Sequence, residues 1–352
     1  MISLAGFVDA RSGFANALAK LVPLIVGALT FGFVWAGQAP PGFFTDFDYL
    51  WLAGQAIGHG LDPYAVTREA IAQGTHRVPF YYPGTAAVLM APFGALPRHL
   101  AIALFTALGM GLLSASVAGW RRWIVVSAPA LQAVMLGQWS PWLTAAVGIP
   151  WLGFLWAAKP SVGFPLFTAW PSRPALVGGL AVLILSFFLL PHWPATWLNE
   201  IQGLPHYTAP VQRLGGPLLL LAFLRWRRPE GRLLGLMALI PHTTGIYEQL
   251  PLLLIPKTKR TFALLMGLSY LAALLVYTVV SYDSSPNVPL RVQRGLDQQW
   301  PYFMVLVWLP SLYLVLRQSP PEDKELSTRT DPEHSPGSNR PKPEHGGTAR
   351  DG

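Results

Sequence analysis

The sequence predicts an all-α, polytopic membrane protein, a helical bundle of about 8–11 transmembrane helices. Three observations carry this. The 352-residue chain is 52% hydrophobic and only 12% charged, against about 25% charged residues in soluble domains, and its mean hydropathy is +0.39. Apolar segments recur along almost the whole length. Lys and Arg gather in short clusters between them, which is how cytoplasmic loops are marked. The net charge of +8 therefore reflects membrane orientation, and no nucleic-acid partner is expected. With no cysteine, neither a disulfide framework nor a thiolate metal site is available.

In order along the chain, the first apolar run, 21–37, follows Arg11 and Lys20 and lacks a small-residue cleavage site, so a retained first helix is expected. A long external loop, 38–80, comes next. Helical patterning around 46–58 and 64–73, broken by "GLDPY", predicts two short interfacial helices within it. Further apolar segments lie at 84–97, 99–119, 123–136, 141–158, 160–170, 174–190, 214–226, 232–246, 249–256, 260–281 and 301–316. Several fall short of the ~20 residues of a straight span, and Pro and Gly interrupt many, as in "VGIPWLGFLWAAKPSVGFP". Broken helices at membrane depth need a protein or cavity lining, so a hollow bundle with re-entrant pieces is expected. Arg121-Arg122, Arg173, "RWRRPEGR", "KTKR" and Arg317 mark the cytoplasmic side. Loops 38–80, 191–213 and 283–300 are then external. If 84–97 and 99–119 both cross, Arg121-Arg122 fall on the wrong side, so one of the two is re-entrant or the pair breaks the rule. The membrane domain is expected over 1–317. The Pro-, Gly- and charge-rich stretch 318–352 reads as a disordered cytoplasmic tail.

The chemistry-bearing residues stand out against this background. Asp46 and Asp48 sit in "FFTDFDYLWLAGQAIGHGLDPY", just beyond an apolar segment. They read either as caps of an interfacial helix or as a carboxylate base at a cavity mouth. Residues two apart do not share a helix face, so at most one should point into a cavity. Lys159, within an apolar stretch and external by the positive-inside count, is a snorkelling lysine or a phosphate-binding cation. Glu248 lies in a nearly apolar run, where a carboxylate is a functional candidate by default. His192, His206 and His242 fall at external ends. Their spacing has no ligand pattern and no H-E-x-x-H is present, so no metal site is assigned. A divalent metal is possible but not indicated.

The order of several short motifs resembles glycosyltransferase family 87, polyprenyl-phosphate-sugar-dependent enzymes of the GT-C superfamily. Asp46-Phe47 and then Gly60, Pro63 and Tyr64 match the family's first external loop. Phe80, Tyr82, Pro83, Pro92 and Pro97 in "FYYPGTAAVLMAPFGALP" resemble its Phe-x-Tyr-Pro-Pro segment and the prolines that follow, with Gly84 in place of the second Pro. "LGQWS" resembles a Gly-Gln corner (Gly137, Gln138), and "AAKPSVGFPLF" a Lys-Pro segment (Lys159, Pro160). "IPHTTGIYEQLPLLLIP" falls where the family has a Ser-Pro segment with a later His. Pro241 fits, His242 lies in the matched stretch, and Tyr247 or Glu248 stands near the place of the missing His. The matches run from about residue 20 to 256, with a shortened Gly-Gln to Lys-Pro interval.

The resemblance implies a GT-C-type bundle and an inverting hexosyltransferase in a cell membrane, with the active site on its external, periplasmic side. The donor would be a polyprenyl-phosphate sugar, mannose by family analogy, and the acceptor a lipid or glycan. Asp46 would be the general base. Asp48, Tyr64, Tyr82, Gln138, Lys159, His242, Tyr247 and Glu248 would bind substrate, with no cofactor beyond the lipid-linked donor. Two other readings stand beside it. One is a lipid or solute transporter, although no paired halves are evident. The other is a degenerate family member acting as a scaffold in envelope assembly, which the shortened interval keeps open.

Overall fold

Proline and glycine set the lengths of the helices. The computed structural model describes residues 4–37, 46–75, 79–202, 208–279 and 288–318. Contacts divide the chain between Arg317 and Gln318, and everything described below belongs to the first unit. The tail expected over 318–352 lies outside the described residues, apart from Gln318, as do 38–45 and 76–78 of the first loop.

Helix α1 (Leu4–Ala36) is followed by α2 (Asp46–Gly58) and α3 (Pro63–Ala72), which correspond to the two short helices expected in the first loop. The break between them has a local cause. Gly60 adopts a left-handed φ of 68°, the Asp62 side chain accepts from the Tyr64 amide at 2.9 Å, and Pro63 opens the next helix, where its missing N–H costs nothing. Next come α4 (Gly84–Gly94) and α5 (Arg98–Ser116), then a 3-10 segment Gly119–Val126, α6 (Ala128–Leu136) and α7 (Ser140–Gly148). A second 3-10 segment, Pro150–Ala158, leads to α8 (Pro160–Ala169), α9 (Arg173–Leu189) and α10 (Trp193–Ile201). The later half has a 3-10 segment Gly216–Arg225, α11 (Pro229–Leu239), a 3-10 segment Ile246–Leu254 and α12 (Lys259–Val279). α13 (Val288–Phe303) passes through a π turn, Met304–Trp308, into α14 (Leu309–Arg317).

Every described element is helical, and no strand occurs among the described residues. Among the described residues, three helical stretches are long and apolar enough to cross a membrane: Arg98–Ser116, Lys259–Thr278 and Arg294–Arg317. A fourth span is possible if α9 and α10, bent by 95° at their junction, count as one. This is fewer than the 8–11 spans expected. The apolar segments are real, but Pro and Gly divide them into short α and 3-10 pieces. The 11-residue α4, at 1.5 Å per residue, is about 16 Å long, half of the ~30 Å hydrocarbon core. It cannot cross alone, so of the two segments 84–97 and 99–119 only the second has the length of a span. The stretch from 288, expected as external loop, is instead helical and continuous with the last span.

α1 lies along α5, and α2 packs against α4. The second contact is backbone on backbone: a Cβ on Gly54 would sit 2.4 Å from the Met90 carbonyl oxygen, so this crossing requires glycine. Beneath the start of α2, Phe47 packs on Phe105 (5.4 Å between ring centroids), and Trp139 meets Phe105 edge-on at 5.1 Å. The outer surface is the reverse of a soluble protein's. Phe188 is 80% exposed, Leu24 69% and Tyr277 67%, as expected of side chains facing lipid rather than water.

Candidate functional site

Seven of the nine residues singled out from the sequence come together at one end of the bundle, drawn from separate parts of the chain. Asp46 is the first residue of α2 and is half-buried. Its Oδ2 accepts from Gln138 Nε2 at 2.8 Å, and the Gln138 Oε1 accepts from the Tyr82 hydroxyl at 3.2 Å. The amide of Gln138 is thus oriented at both ends. It stands just beyond Gly137, which ends α6 with φ 65°. A Cβ on Gly137 would fall 2.6 Å from the Phe47 Cβ. Both the left-handed turn and the close approach to α2 therefore demand glycine, and together they carry Gln138 to Asp46.

Lys159 sits between the 3-10 segment Pro150–Ala158 and α8. Its ammonium pairs with Glu248 Oε1 at 2.5 Å and lies over the rings of Tyr247 (5.0 Å) and Tyr82 (5.6 Å). Glu248 is fully buried. Its Oε1 also accepts from the Thr243 hydroxyl at 2.6 Å, and its Oε2 stands 3.8 Å from His242 Nε2. The Nδ1 of His242 is 2.8 Å from the Ile240 carbonyl. The Tyr247 amide donates to Gln132 Oε1 at 3.0 Å, which pins this loop to α6. At Thr244 the same loop adopts φ 51°, a left-handed conformation that a β-branched residue rarely takes and that concentrates at functional sites.

The electrostatics link the two halves. Burial pushes the Asp46 carboxyl above the usual carboxylate range. The Lys159 ammonium and the Gln138 hydrogen bond pull it back, while Asp48 and Glu248 add like-charge repulsion. Asp46 thus shares the field of a cation that is itself paired with a second carboxylate.

Tyr82 and Lys159 line a cavity of about 550 Å³ whose other walls include Ser161, Trp197, Ile240 and Pro241. Pro83, Pro160 and Phe164 belong both to this cavity and to a neighbouring apolar one of about 270 Å³. The second runs between α8 and α9, past Gly163, Leu176, Gly179 and Leu183. A largely apolar chamber with Lys159 and Ser161 in its wall thus adjoins a wholly apolar groove.

Two of the expected substrate-binding residues are placed differently. Asp48 is buried and pairs with Arg98 at the start of α5. Two positions along a helix turn its side chain away from that of Asp46. Tyr64 is buried too, and its hydroxyl donates to the Tyr82 carbonyl at 2.9 Å, bracing the site from behind. Three contributors were not singled out from the sequence: Thr243, Gln132 and Arg98. Only the polar run "HTTG" within an apolar stretch offered a signal for the first. Gln132 and Arg98 act across 115 and 50 residues of chain, which no local pattern reveals. Of the three histidines expected at external ends, His206 lies outside the described residues. Among the described residues no group of three or more His, Asp or Glu side chains is placed to hold a metal ion. No protein-family model, curated protein or solved structure matches the chain.

Proposed function

We propose that this protein is an integral-membrane glycosyltransferase of GT-C type that transfers a sugar from a polyprenyl-phosphate donor to a hydroxyl of a lipid or glycan acceptor on the external face of the membrane. One observation carries the reading. A carboxylate held by Gln138, itself oriented by Tyr82, shares a field with Lys159, which lines a cavity that adjoins an apolar groove. The arrangement suits a substrate with a sugar, a phosphate and a hydrocarbon chain. The chain would lie in the groove, the phosphate beside Lys159 and the sugar in the chamber toward Asp46.

The chemistry requires little else. The acceptor oxygen attacks the anomeric carbon as its proton passes to the Asp46 carboxylate. The bond from that carbon to the phosphate oxygen breaks, and its electron pair leaves on the phosphate. Attack opposite the leaving group inverts the anomeric configuration. A phosphate needs no protonation to leave, so the protein supplies a base and a cation facing the charge that develops. Gln138 fixes the orientation of the base, and burial brings the Asp46 pKa closer to the working pH.

The orientation is consistent with this. Since α4 is too short to cross, α5 alone runs from Arg98 at the site's end to Arg121-Arg122 beyond its other end. With those arginines inside, as the positive-inside rule favours, the site would lie outside. Mannose is the first donor to try, on the family resemblance alone. The test is sugar transfer by the purified protein from a panel of polyprenyl-phosphate sugars, with mixed envelope lipids as acceptors and the anomeric configuration of the product determined. Transfer with inversion is expected. Failure with every donor would overturn the reading in favour of a transporter or a scaffold.

A further inference from the structure

The ion pair between Lys159 and Glu248 raises a difficulty for a simple phosphate site. A cation meant to grip an anion is already neutralised. Its ammonium contacts Glu248 Oε1 and two tyrosine faces, and Asp46 lies within its field. The carboxylate is not held merely to satisfy itself. Glu248 Oε1 takes both Lys159 and Thr243, whereas Oε2 is buried with no hydrogen-bond partner, facing a His242 Nε2 that also has none. Leaving such atoms unsatisfied is costly. A carboxylate kept under these conditions, 0% exposed beside a lysine only 10% exposed, has a use beyond packing.

The use follows from counting charge through the reaction. A lipid phosphodiester donor carries one negative charge. The phosphomonoester left after transfer carries up to two, since its second ionisation has a pKa of about 6. A bare ammonium would hold the product more tightly than the donor and stall the cycle. An ammonium compensated by a neighbouring carboxylate gains less from the extra charge, because the buried carboxylate behind it repels that charge.

We propose that Glu248 is a positioning and specificity-determining residue: by holding Lys159 in a buried ion pair it makes the cavity select a phosphodiester lipid over a phosphomonoester. The assignment rests on Lys159 being the phosphate-facing cation of the proposed transferase. Glu248 touches neither the reacting carbon nor the acceptor and acts through Lys159.

The experiment measures binding of a short polyprenyl monophosphate and of its methyl diester to the full-length protein at about pH 8, where the monoester is dianionic. Tryptophan fluorescence reports binding, since Trp197 lines the cavity. Wild type should hold the diester at least as tightly as the monoester. Glu248→Gln should shift the ratio toward the monoester by about tenfold or more, and adding Lys159→Gln should abolish that shift. Glu248→Asp, which keeps the charge but shortens its reach, should give an intermediate ratio. A wild type that favours the monoester tenfold overturns the proposal whatever the variants do, including a Glu248→Gln protein that fails to fold. So does an unchanged ratio in Glu248→Gln, a shift that persists in the double variant, or no binding of either ester. Sugar transfer measured on the same preparations separates the two readings. Discrimination without transfer upholds the role of Glu248 and sinks the enzyme; transfer with an unchanged ratio does the reverse.

Discussion

Replacing Asp46 by Asn changes one group and leaves its surroundings nearly intact. The amide oxygen still accepts from Gln138 Nε2, now at 2.8 Å from Asp46 Oδ2, so the Gln138–Tyr82 chain survives. What is lost is the ability to take a proton. A positioned general base contributes about 10²–10⁴ in rate, so kcat should fall by that factor, equivalent to about 2.7–5.4 kcal/mol of barrier at 1.36 kcal/mol per tenfold. Stability should move the other way. Burial raises the Asp46 pKa in the folded protein, so the folded state binds the proton more tightly than the unfolded chain does. Wild type therefore loses stability as pH rises from the ordinary Asp value to the raised one, and stays lower above it. Asn has no such dependence. Its advantage in thermal midpoint should grow as pH rises above the ordinary Asp value of 3.8 and vanish below it. Initial rates and thermal midpoints from about pH 3 to about pH 9 read both effects. An Asn variant within tenfold of wild-type rate would refute Asp46 as the base. A variant less stable than wild type at neutral pH would refute burial as the dominant cause of the shift.

Further variants probe the supports of the site. Gly137→Ala forces a side chain into a left-handed turn, which costs about 1–2 kcal/mol, and onto the Phe47 Cβ. Its midpoint should fall and transfer should drop further than stability explains, because Gln138 moves with the turn. Arg98→Met removes the guanidinium that pairs with the buried Asp48. The expected loss is about 1–3 kcal/mol, below the figure for a fully buried pair because nearly a third of the Arg98 side chain is exposed, and denaturation in detergent measures it. Gly179→Leu projects into the apolar groove from a position where a Cβ meets nothing within 4 Å. It should fold normally and raise KM for a long-chain donor while sparing a short-chain analogue; equal effects on both would mean the chain lies elsewhere.

The sequence made some features readable for identifiable reasons. The two short helices of the first loop could be placed because Gly60, Asp62 and Pro63 are local punctuation whose effect does not depend on the rest of the fold. The number of spans could not. Hydropathy finds apolar segments whether they cross, bend or turn back, and Pro165, Pro251 and the glycines of α8 and α9 decide which of these happens only through packing. α13 was misread for a related cause. The stretch 283–300 reads as a polar external loop between basic clusters, yet Arg294 and Asp297 ride on a helix that continues into an apolar span, with Asp297 paired to Arg213 at 2.5 Å.

At the site the division runs along the same line. Asp46, Lys159 and Glu248 are visible in the sequence because charge in apolar surroundings is expensive and therefore conspicuous. Their partnership is not visible, since 113 residues separate Asp46 from Lys159 and 89 separate Lys159 from Glu248. The resemblance to a lipid-sugar transferase put Lys159 and Glu248 on the same side of the membrane without saying that they touch. Contact changes what each residue is able to do. An isolated lysine would serve any anion, whereas one bound to a buried carboxylate distinguishes anions by their charge. The same holds for Asp46, whose proton affinity depends on a lysine and a glutamate that arrive from distant segments of the chain. The chemistry of this site therefore belongs to the assembled cluster. Substitutions within it should be non-additive, and the combined Glu248→Gln and Lys159→Gln protein should resemble wild type in its ester preference more closely than Glu248→Gln alone does.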